Sequence, residues 1–174
     1  MSGHNKWSQI KDRKGAQDKK KSAIFSKLLA AISVAAKQNP KPDANPRLRS
    51  AIEKAKENKV PLENIERAIT KAAEQKDLQE ILIEAYGPEG VGLIIEAITD
   101  NSNRTISEIR HLLEENGAKM ATPGSVQWSF EKINNNWQAK FQQPISEAAK
   151  KQLQELISKI EEYEDVQHVV TNAQ

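Results

Sequence analysis

Apolar residues recur at helical spacing through the first half of the chain. Within residues 23–37 they fall three and four positions apart, which places them on one face of a helix. The stretch QNPKPDANP ends that helix, and Asn45 and Pro46 then begin a second one as N-cap and first helical residue. Pro61 opens a third helix. The expected inward residues are Phe25, Leu28, Leu29, Ile32, Ala35 and Ala36, then Leu48, Ala51, Ile52 and Ala55, then Leu62, Ile65, Ile69 and Ala72. Such short helices are stable only when their apolar faces meet, so the pattern predicts a small bundle.

From about residue 78 the period changes to that of strands. The segments LQEILIEAYGPEG and VGLIIEAITD predict two strands joined by a Gly-Pro turn. A helix over NRTISEIRHLLEENG follows, with Thr105 and Glu108 as a capping box. Alternation of Val126, Trp128 and Phe130 predicts a half-buried strand, and NNNWQAKF predicts a turn and its partner. The long helix SEAAKKQLQELISKIEEYED and the strand VQHVVTNA complete the chain.

The predicted fold class is therefore α+β. From residue 91 the elements follow the order β-α-β-β-α-β of the ferredoxin-like pattern, with one extra strand before it. We predict an N-terminal three-helix domain followed by a ferredoxin-like α/β sandwich with an extra strand. Its segments are a basic arm, expected to be flexible, over residues 1–22, a helical bundle over residues 23–77 and the α/β domain over residues 78–174.

Composition narrows the class of protein further. The 174 residues include no cysteine, which excludes a disulfide framework and a thiolate nucleophile. No apolar run approaches the roughly 20 residues that cross a bilayer, and the N-terminal lysines adjoin no apolar signal segment. We therefore expect a cytoplasmic protein without a membrane partner.

Catalytic and metal-binding motifs are missing from the sequence. The histidines His4, His111 and His168 are scattered without zinc spacing, and His111 is expected on a helix surface. The segment DNSNRTISEIRH lacks the Gly and Glu of a calcium loop and is predicted to be a strand-to-helix turn. The segment GPEGVG lacks the Lys-Ser/Thr of a phosphate-binding loop, and Ser125 lies outside any nucleophile elbow. We expect no enzyme, no catalytic residue, no metal and no cofactor.

Charge is divided unevenly along the chain, although the net charge is only +2. Residues 1–50 contain 12 Lys and Arg against 3 Asp, a net charge of +9. Residues 51–174 contain 14 Lys and Arg against 21 Asp and Glu, a net charge of −7. A basic front on an acidic body indicates a polyanionic partner for the front.

The candidate nucleic-acid-binding residues belong to this basic front. They are His4, Lys6, Trp7, Lys11, Arg13, Lys14, Lys19, Lys20, Lys21, Lys27, Arg47 and Arg49. The cations suit phosphates, and the indole of Trp7 suits stacking on an exposed base. Lysine outnumbers arginine here, which favours backbone or structured-RNA binding over sequence-specific DNA reading. The simpler interpretation, a solvated basic tail that aids solubility with His4 as a tail residue, stays open.

Several ordered blocks resemble one known family. They are GHNKW, IKDRKGAQDKKKSAIFSKL, NPRLRSAIEKAK, PLENIERAI, YGPEGVGLIIEAITDNSNRT, GSVQWSF and DVQHVVTNA. Together they resemble the YebC family, which includes PmpR and the mitochondrial translational activator of cytochrome oxidase. The resemblance implies a helical N-terminal domain, α/β modules and a role that is not enzymatic.

The resemblance also implies a nucleic-acid partner. Members of the family are described as transcriptional regulators that bind DNA, and as ribosome-associated translation factors that relieve stalling at proline-rich stretches. The family's basic motif corresponds to Gly3, His4, Lys6, Trp7, Lys11, Arg13 and Lys14. Its Asn-Pro-Arg-Leu-Arg block corresponds to Asn45–Arg49.

The chain departs from the family pattern at three points. Asn5 stands where serine is usual, and Ala85 and Glu89 stand where glycines are common. Family members typically insert a third α/β module after the strand that matches GSVQWSF, whereas here EKINNNW turns directly into the next strand. Any family activity that needs that module is therefore in doubt for this chain.

The sequence thus predicts a translation factor that contacts ribosomal RNA or tRNA, with ribosomal proteins as further partners. The first alternative is a regulator that binds promoter DNA, although no helix-turn-helix is evident. The second is a protein-interaction module that uses an exposed sheet face. The oligomeric state is not predicted.

Overall fold

Five α-helices and six β-strands make up the part of the chain that the computed structural model describes. That part is residues 4–74 and 77–174, and within the first helix side chains are described from residue 17 onward. The chain divides into two compact units, Met1–Lys76 and Asp77–Gln174. None of the helices within the described residues has the length and apolar character that crossing a bilayer requires.

The first unit contains three helices. They are α1 (His4–Gln38), α2 (Pro46–Glu57) and α3 (Leu62–Lys71). The sequence prediction begins α1 near residue 23, whereas the structure begins it at His4, so most of the segment predicted as a separate arm is helical. Apolar periodicity starts only at Phe25, but the lysines, glutamines and alanines before it are good helix formers.

The three helices enclose one core, as the apolar pattern predicts. Its buried members are Ile32, Ala35, Ala36, Leu48, Ala55, Val60, Ile65 and Ala72. The exception is Leu62, predicted to face inward but 58% exposed, because it is the first residue of α3 and lies at the rim of the bundle.

The second unit is built on an antiparallel sheet. Its elements are β1 (Gln79–Tyr86), β2 (Gly92–Thr99), α4 (Ser102–Glu115), β3 (Lys119–Met120), β4 (Phe130–Ile133), β5 (Asn136–Ala139), α5 (Glu147–Glu161) and β6 (Val166–Thr171). The sheet has the order β3-β1-β2-β6, and β4 and β5 pair only with each other. Helices α4 and α5 supply one core with the sheet, and the β4–β5 hairpin supplies a second core with Ile94 and Tyr86.

The predicted α+β class and the helical N-terminal domain are confirmed, but the strand order is not the ferredoxin-like one. The ferredoxin-like pattern would place a strand of the β4–β5 hairpin beside β2. Instead β1 pairs with β2 along eight residues and β6 occupies the other edge. The Pro88–Gly90 turn connects β1 to β2 directly, so these strands form a hairpin whose ends are already close.

Two local predictions are wrong. Residues 127–129 form a turn rather than a strand, β4 begins at Phe130, and Trp128 is exposed instead of half-buried. Thr105 and Glu108 do not form a capping box. The N-cap of α4 is Asn101, whose side chain accepts a hydrogen bond from Arg104 N at 3.1 Å, while Thr105 is buried inside the helix.

A turn residue explains one departure from the family pattern. Glu89 has φ 54°, a left-handed conformation that favours glycine. Its carboxylate accepts hydrogen bonds from Ser146 Oγ at 2.6 Å and Ser146 N at 3.0 Å. These bonds, that from the hydroxyl first, hold the pKa of Glu89 below its ordinary value. The glutamate thus offsets its backbone strain by fixing the N-cap residue of α5.

Candidate nucleic-acid interface

The N-terminal part of α1 is exposed along its described length. No residue from 17 to 31 is buried, whereas Ile32 to Ala36 all are. The helix has 35 residues and is therefore about 52 Å long at 1.5 Å per residue. Within the described side chains, residues 17–22 are exposed, whereas Phe25, Leu28 and Leu29 already pack against the core of the first unit.

Four of the predicted residues are described on this helix. Lys19, Lys20 and Lys21 are exposed and Lys27 is half-buried. Consecutive helical residues point about 100° apart, so the three adjacent lysines cover three directions around the axis. Lys20 and Lys27 are seven residues apart and share a face, with their Cα atoms about 10 Å apart along the axis.

Contacts distinguish these lysines. Lys21 Nζ lies 5.5 Å from the centre of the Phe25 ring, a cation–π distance. Within the described residues, Lys19 and Lys20 form no ion pair or hydrogen bond. Their charges are therefore available to a partner.

Half of the predicted residues fall outside what can be described. His4, Lys6, Trp7, Lys11, Arg13 and Lys14 lie on the backbone of α1, but their side chains are not among the described ones. Their part in binding stays a prediction.

Asn45 positions the two predicted arginines of α2. It is 6% exposed, and its Nδ2 donates to Ala35 O at 2.8 Å and Asn39 O at 2.7 Å. Its Oδ1 accepts from Leu48 N at 3.0 Å, as predicted for the N-cap. One buried amide therefore joins the end of α1 to the start of α2, where Arg47 and Arg49 lie.

The two arginines are not equally accessible. Arg47 is half-buried, and Arg49 is exposed. Arg49 Nη1 donates to Pro42 O at 3.1 Å and to Asp43 O at 3.4 Å. Arg49 therefore supports the turn between α1 and α2, while the other end of its guanidinium can contact a phosphate.

The sequence prediction missed cations at the other end of α2. Lys54, Lys56 and Lys59 are exposed in the same unit. Glu53 and Glu57 offset them along the chain, so a segment-by-segment count of charge does not single them out. Their simpler role is to interact with the negative C-terminal end of the helix.

Charge segregation follows the boundary between the units. Met1–Lys76 contains 18 Lys and Arg against 8 Asp and Glu, a net charge of +10. Asp77–Gln174 contains 8 against 16, a net charge of −8. Excess positive charge is therefore confined to the first unit and excess negative charge to the second.

The second unit uses some of its acidic residues inside its own fold. Glu84 is 4% exposed, and its carboxylate accepts from the backbone N–H groups of Gly124 at 2.5 Å, Val126 at 2.7 Å and Gln127 at 2.8 Å. These bonds hold the turn before β4. Such a buried carboxylate, satisfied by three donors, is structural rather than catalytic.

Asp165 forms a second structural cluster. Its Oδ2 accepts from Thr105 Oγ1 at 2.5 Å and Arg104 Nη2 at 2.9 Å. Burial would raise the pKa of Asp165, but hydrogen bonds, that of Thr105 first, outweigh it and hold the pKa below the ordinary value. The same pairing raises the pKa of Arg104. The cluster ties the start of α4 to the turn before β6.

Histidine and acidic side chains do not converge on a metal site. Among the described residues, no group of three or more could hold a metal ion. His111 is exposed on α4, as predicted, 3.3 Å from Glu115.

Comparison with protein families identifies the lineage of the chain. Residues 5–75 match the family model described as the TACO1/YebC protein N-terminal domain, and residues 78–134 match the one described as the TACO1/YebC second and third domain. The chain belongs to the TACO1/YebC family. This confirms the resemblance found in the sequence.

Individual relatives agree with this assignment. A protein of Petrotoga mobilis named "Probable transcriptional regulatory protein" is 51% identical over 136 residues, which cover 76% of this chain and 54% of that protein. A protein of Pseudothermotoga lettingae with the same name is 54% identical over 136 residues, which again cover 76% of this chain and 54% of that protein. The chain thus spans about half the length of the curated TACO1/YebC relatives it matches.

A solved structure shares the fold. The crystal structure of a conserved hypothetical protein from Aquifex aeolicus superimposes with a TM-score of 0.82 at 28% sequence identity, covering 88% of this chain and 90% of that one. The TACO1/YebC relatives are named as probable transcriptional regulatory proteins. The solved structure that shares the fold is described only as a conserved hypothetical protein.

Proposed function

We propose that this chain is a non-enzymatic regulatory factor that binds nucleic acid through its first unit, with the structured RNA of the translating ribosome as its target. The observation that carries the proposal is the row of exposed lysines Lys19, Lys20 and Lys21 on α1, in a unit of net charge +10. Ribosomal RNA and tRNA would be the direct partners and ribosomal proteins secondary ones. Easing stalls at proline-rich stretches is the biological role that the family resemblance adds.

Phosphates are the part of the partner that this surface fits. Lys19 and Lys20 present ammonium groups on the part of α1 whose side chains are described as exposed, and Arg49 adds a guanidinium at the start of the next helix. Lysine binds phosphate as a point charge without reading bases, which suits a target recognised by shape. The net charge of −8 on the second unit disfavours extended contact between that unit and the phosphate backbone.

Promoter DNA is the second candidate target. The name "Probable transcriptional regulatory protein" of the relatives favours it. Duplex DNA presents the same phosphates, so the same lysines would contact it. A protein-interaction role is the third candidate, although seven of the eight residues of the central strand β2 are buried rather than on an open sheet face. It predicts partner binding that survives removal of residues 1–22.

Charge reversal separates these candidates. We expect Lys19→Glu, Lys20→Glu and Lys21→Glu combined to weaken binding to a structured RNA in a filter-binding assay. If all three lysines contact phosphates, the slope of log K against log salt falls in magnitude by about 2–3. The control reverses Lys151 and Lys159, two exposed lysines of the second unit, and is expected to bind as the wild type does.

A change of target or role would appear in the same experiment. Equal affinity of the wild type and the α1 variant for RNA would refute the proposed surface. Saturable preference for one duplex DNA sequence over RNA would favour the transcriptional role. Sedimentation of cell lysate through sucrose gradients tests the ribosome directly, because the protein is expected with ribosomes at low salt and at the top at high salt.

A further inference from the structure

An aromatic pair in the second unit has no role in the core. Trp128 is 66% exposed, more than any other large apolar side chain among the described residues, and Phe141 is 50% exposed. Their ring centres are 5.8 Å apart and the planes are inclined by 41°. Two adjacent aromatic side chains this exposed form an apolar surface of the kind that binds ligands.

The indole is held in place although its face is open. Trp128 Nε1 donates to Ser125 O at 2.8 Å, and Tyr86 Oη donates to the same oxygen at 3.1 Å. The backbone just before it is fixed by Glu84, which accepts from Val126 N and Gln127 N. The ring is therefore pre-organised, and a ligand stacking on it would lose little by ordering it.

The pair borders a groove of about 320 Å³ that contains no charged side chain in its lining. Tyr86, Trp128 and Phe141 supply aromatic walls. Gln143 and Asn172 are engaged in holding the walls, since Gln143 Nε2 donates to Glu89 O at 2.8 Å and Asn172 Nδ2 to Phe141 O at 3.2 Å. Gln142 also lines the groove, is exposed and makes no side-chain hydrogen bond within the described residues, so its amide can serve a ligand.

Ammonium groups lie beside this neutral groove. Lys140 Nζ lies 5.3 Å from the centre of the Phe141 ring. Lys119 Nζ lies 5.7 Å from the centre of the Tyr86 ring. In a unit of net charge −8, the groove therefore combines flat apolar faces, a free amide and ammonium groups close to its aromatic walls.

We propose that this groove binds one unpaired base of a nucleic-acid strand, which stacks on Trp128 while Gln142 hydrogen-bonds its edge and Lys140 contacts its phosphate. The proposal rests on the nucleic-acid binding proposed above and adds a second site on the other unit. It differs from the first site in chemistry, because its main contact is stacking of a base on an aromatic ring, whereas the α1 contacts are ion pairs with phosphates.

Charge selects a base over other occupants. A base is neutral and planar and carries both donors and acceptors, which matches a lining of aromatic rings and an amide. An extended phosphate backbone would be repelled by the acidic unit, so the ligand is one exposed base and its phosphate rather than a duplex. A second copy of the chain would place two units of net charge −8 against each other.

The test compares binding of a single-stranded oligoadenylate of about a dozen nucleotides with binding of a duplex of equal length. We expect Trp128→Ala to weaken single-strand binding about 5- to 150-fold, the factor equivalent to ~1–3 kcal/mol for a stacked base. Duplex affinity is expected to stay unchanged, and Trp128→Phe is expected to retain most single-strand affinity. Ile133→Ala is the matched control, because it truncates another exposed apolar side chain of this unit that does not line the groove.

Fluorescence provides a readout that does not depend on affinity alone. A Trp7→Phe protein retains two tryptophans, exposed Trp128 and buried Trp137. Oligoadenylate is expected to quench the fluorescence of this protein, and the additional substitution Trp128→Phe is expected to abolish that quenching. Unchanged single-strand affinity in Trp128→Ala, or quenching that Trp128→Phe leaves intact, overturns the proposal. So does self-association in sedimentation velocity that Trp128→Ala abolishes, because the groove would then be an interface between copies.

The two proposals fail separately. If charge reversal on α1 changes nothing but Trp128→Ala weakens single-strand binding, the basic surface is wrong and the base site stands. If the reverse holds, the base site is wrong and the basic surface stands. If the wild type binds neither the structured RNA nor the oligoadenylate, both are wrong.

Discussion

The two units use charged side chains in opposite ways. In Met1–Lys76 the described lysines of α1 lie outside the hydrophobic core, and Lys19 and Lys20 have no partner in the described part of the chain. In Asp77–Gln174, Glu84 and Asp165 are turned into the fold, where they hold turns through hydrogen bonds. Charge in the first unit is thus available for binding, whereas part of the charge in the second is needed for stability.

Net charge alone would hide this difference. A count of acidic residues suggests that the second unit is simply a repulsive surface, yet two of its carboxylates act as internal ties. Exposure and hydrogen-bond partners, more than residue type, therefore decide which charged side chains can serve a function.

Removal of the Glu84 carboxylate is expected to have the largest effect on the free energy of unfolding. We expect Glu84→Ala to lower the free energy of unfolding by about 3 kcal/mol or more, because three backbone N–H groups lose their acceptor. Urea unfolding measures the loss, and hydrogen exchange should show it first at the amides of Val126 and Gln127. The control is Glu131→Ala, an exposed glutamate on β4, which should change stability by less than about 0.5 kcal/mol. An equally small change for Glu84→Ala would show that this carboxylate is not structural.

Removal of the buried Asn45 side chain in the first unit is expected to have an effect of similar size. Asn45→Ala removes an N-cap and leaves Ala35 O and Asn39 O without this donor, so we expect a loss of about 2–3 kcal/mol. Thermal unfolding followed by far-ultraviolet circular dichroism measures it. Asn58→Ala, at the exposed end of α2, removes a single bond to Lys54 O and is expected to cost much less. Similar losses for both variants would contradict the role given to Asn45.

Asp165 allows the comparison to be tested by pH. Because its pKa is held below the ordinary value, its contribution is complete above the unfolded-state pKa of about 3.9 and is lost as the pH falls through the folded-state pKa. Asp165→Asn is expected to lower stability at neutral pH by about 1–2 kcal/mol and to flatten the acid limb of the curve. Urea unfolding from pH 7 to pH 2 measures both. Asp100→Asn, which changes an exposed partner of the same arginine, should keep the wild-type acid limb; a limb flattened as much as in Asp165→Asn would show that the acid dependence does not come from Asp165.

The smallest effect is expected for the α1 lysines. Combined replacement of Lys19, Lys20 and Lys21 by Glu should change the free energy of unfolding by less than about 0.5 kcal/mol, because both residue types favour helix and the side chains are exposed. Only the cation–π contact of Lys21 is lost. Urea unfolding of the same variant used for RNA binding measures this. A loss above about 1 kcal/mol would contradict the difference drawn between the two units, because the α1 lysines would then also be needed for stability.

The sequence predicted those parts of the fold that depend on neighbours along the chain. Helical spacing located the buried faces from Phe25 to Ala72, and the Asn45–Pro46 pair located a helix start. Leu62 was misplaced because its spacing matches the core face while its position at the helix end leaves it open. Trp128 was misplaced because alternation alone could not reveal that Glu84, some forty residues earlier, holds the preceding segment in a turn.

The strand order and the candidate sites show the same limit. Whether β2 pairs with β1 or with a strand of the later hairpin is a choice between distant partners, which periodicity does not encode. The basic residues of the first site were visible in the sequence as a concentration of charge, and their binding role remains a proposal. The groove of the second unit was not visible, because Tyr86, Trp128 and Phe141 meet only after folding.

The β4–β5 hairpin has a consequence for how this protein can be rebuilt. Its strands are joined through Asn134 and Asn135, both with positive φ, and the match to the second TACO1/YebC family model stops at residue 134. Paired strand ends lie about 5 Å apart, so any domain whose own termini are neighbours could be grafted at this tip without moving the sheet behind it. The turn is therefore a position at which a segment can be inserted or deleted while the hydrophobic cores of the second unit keep their packing.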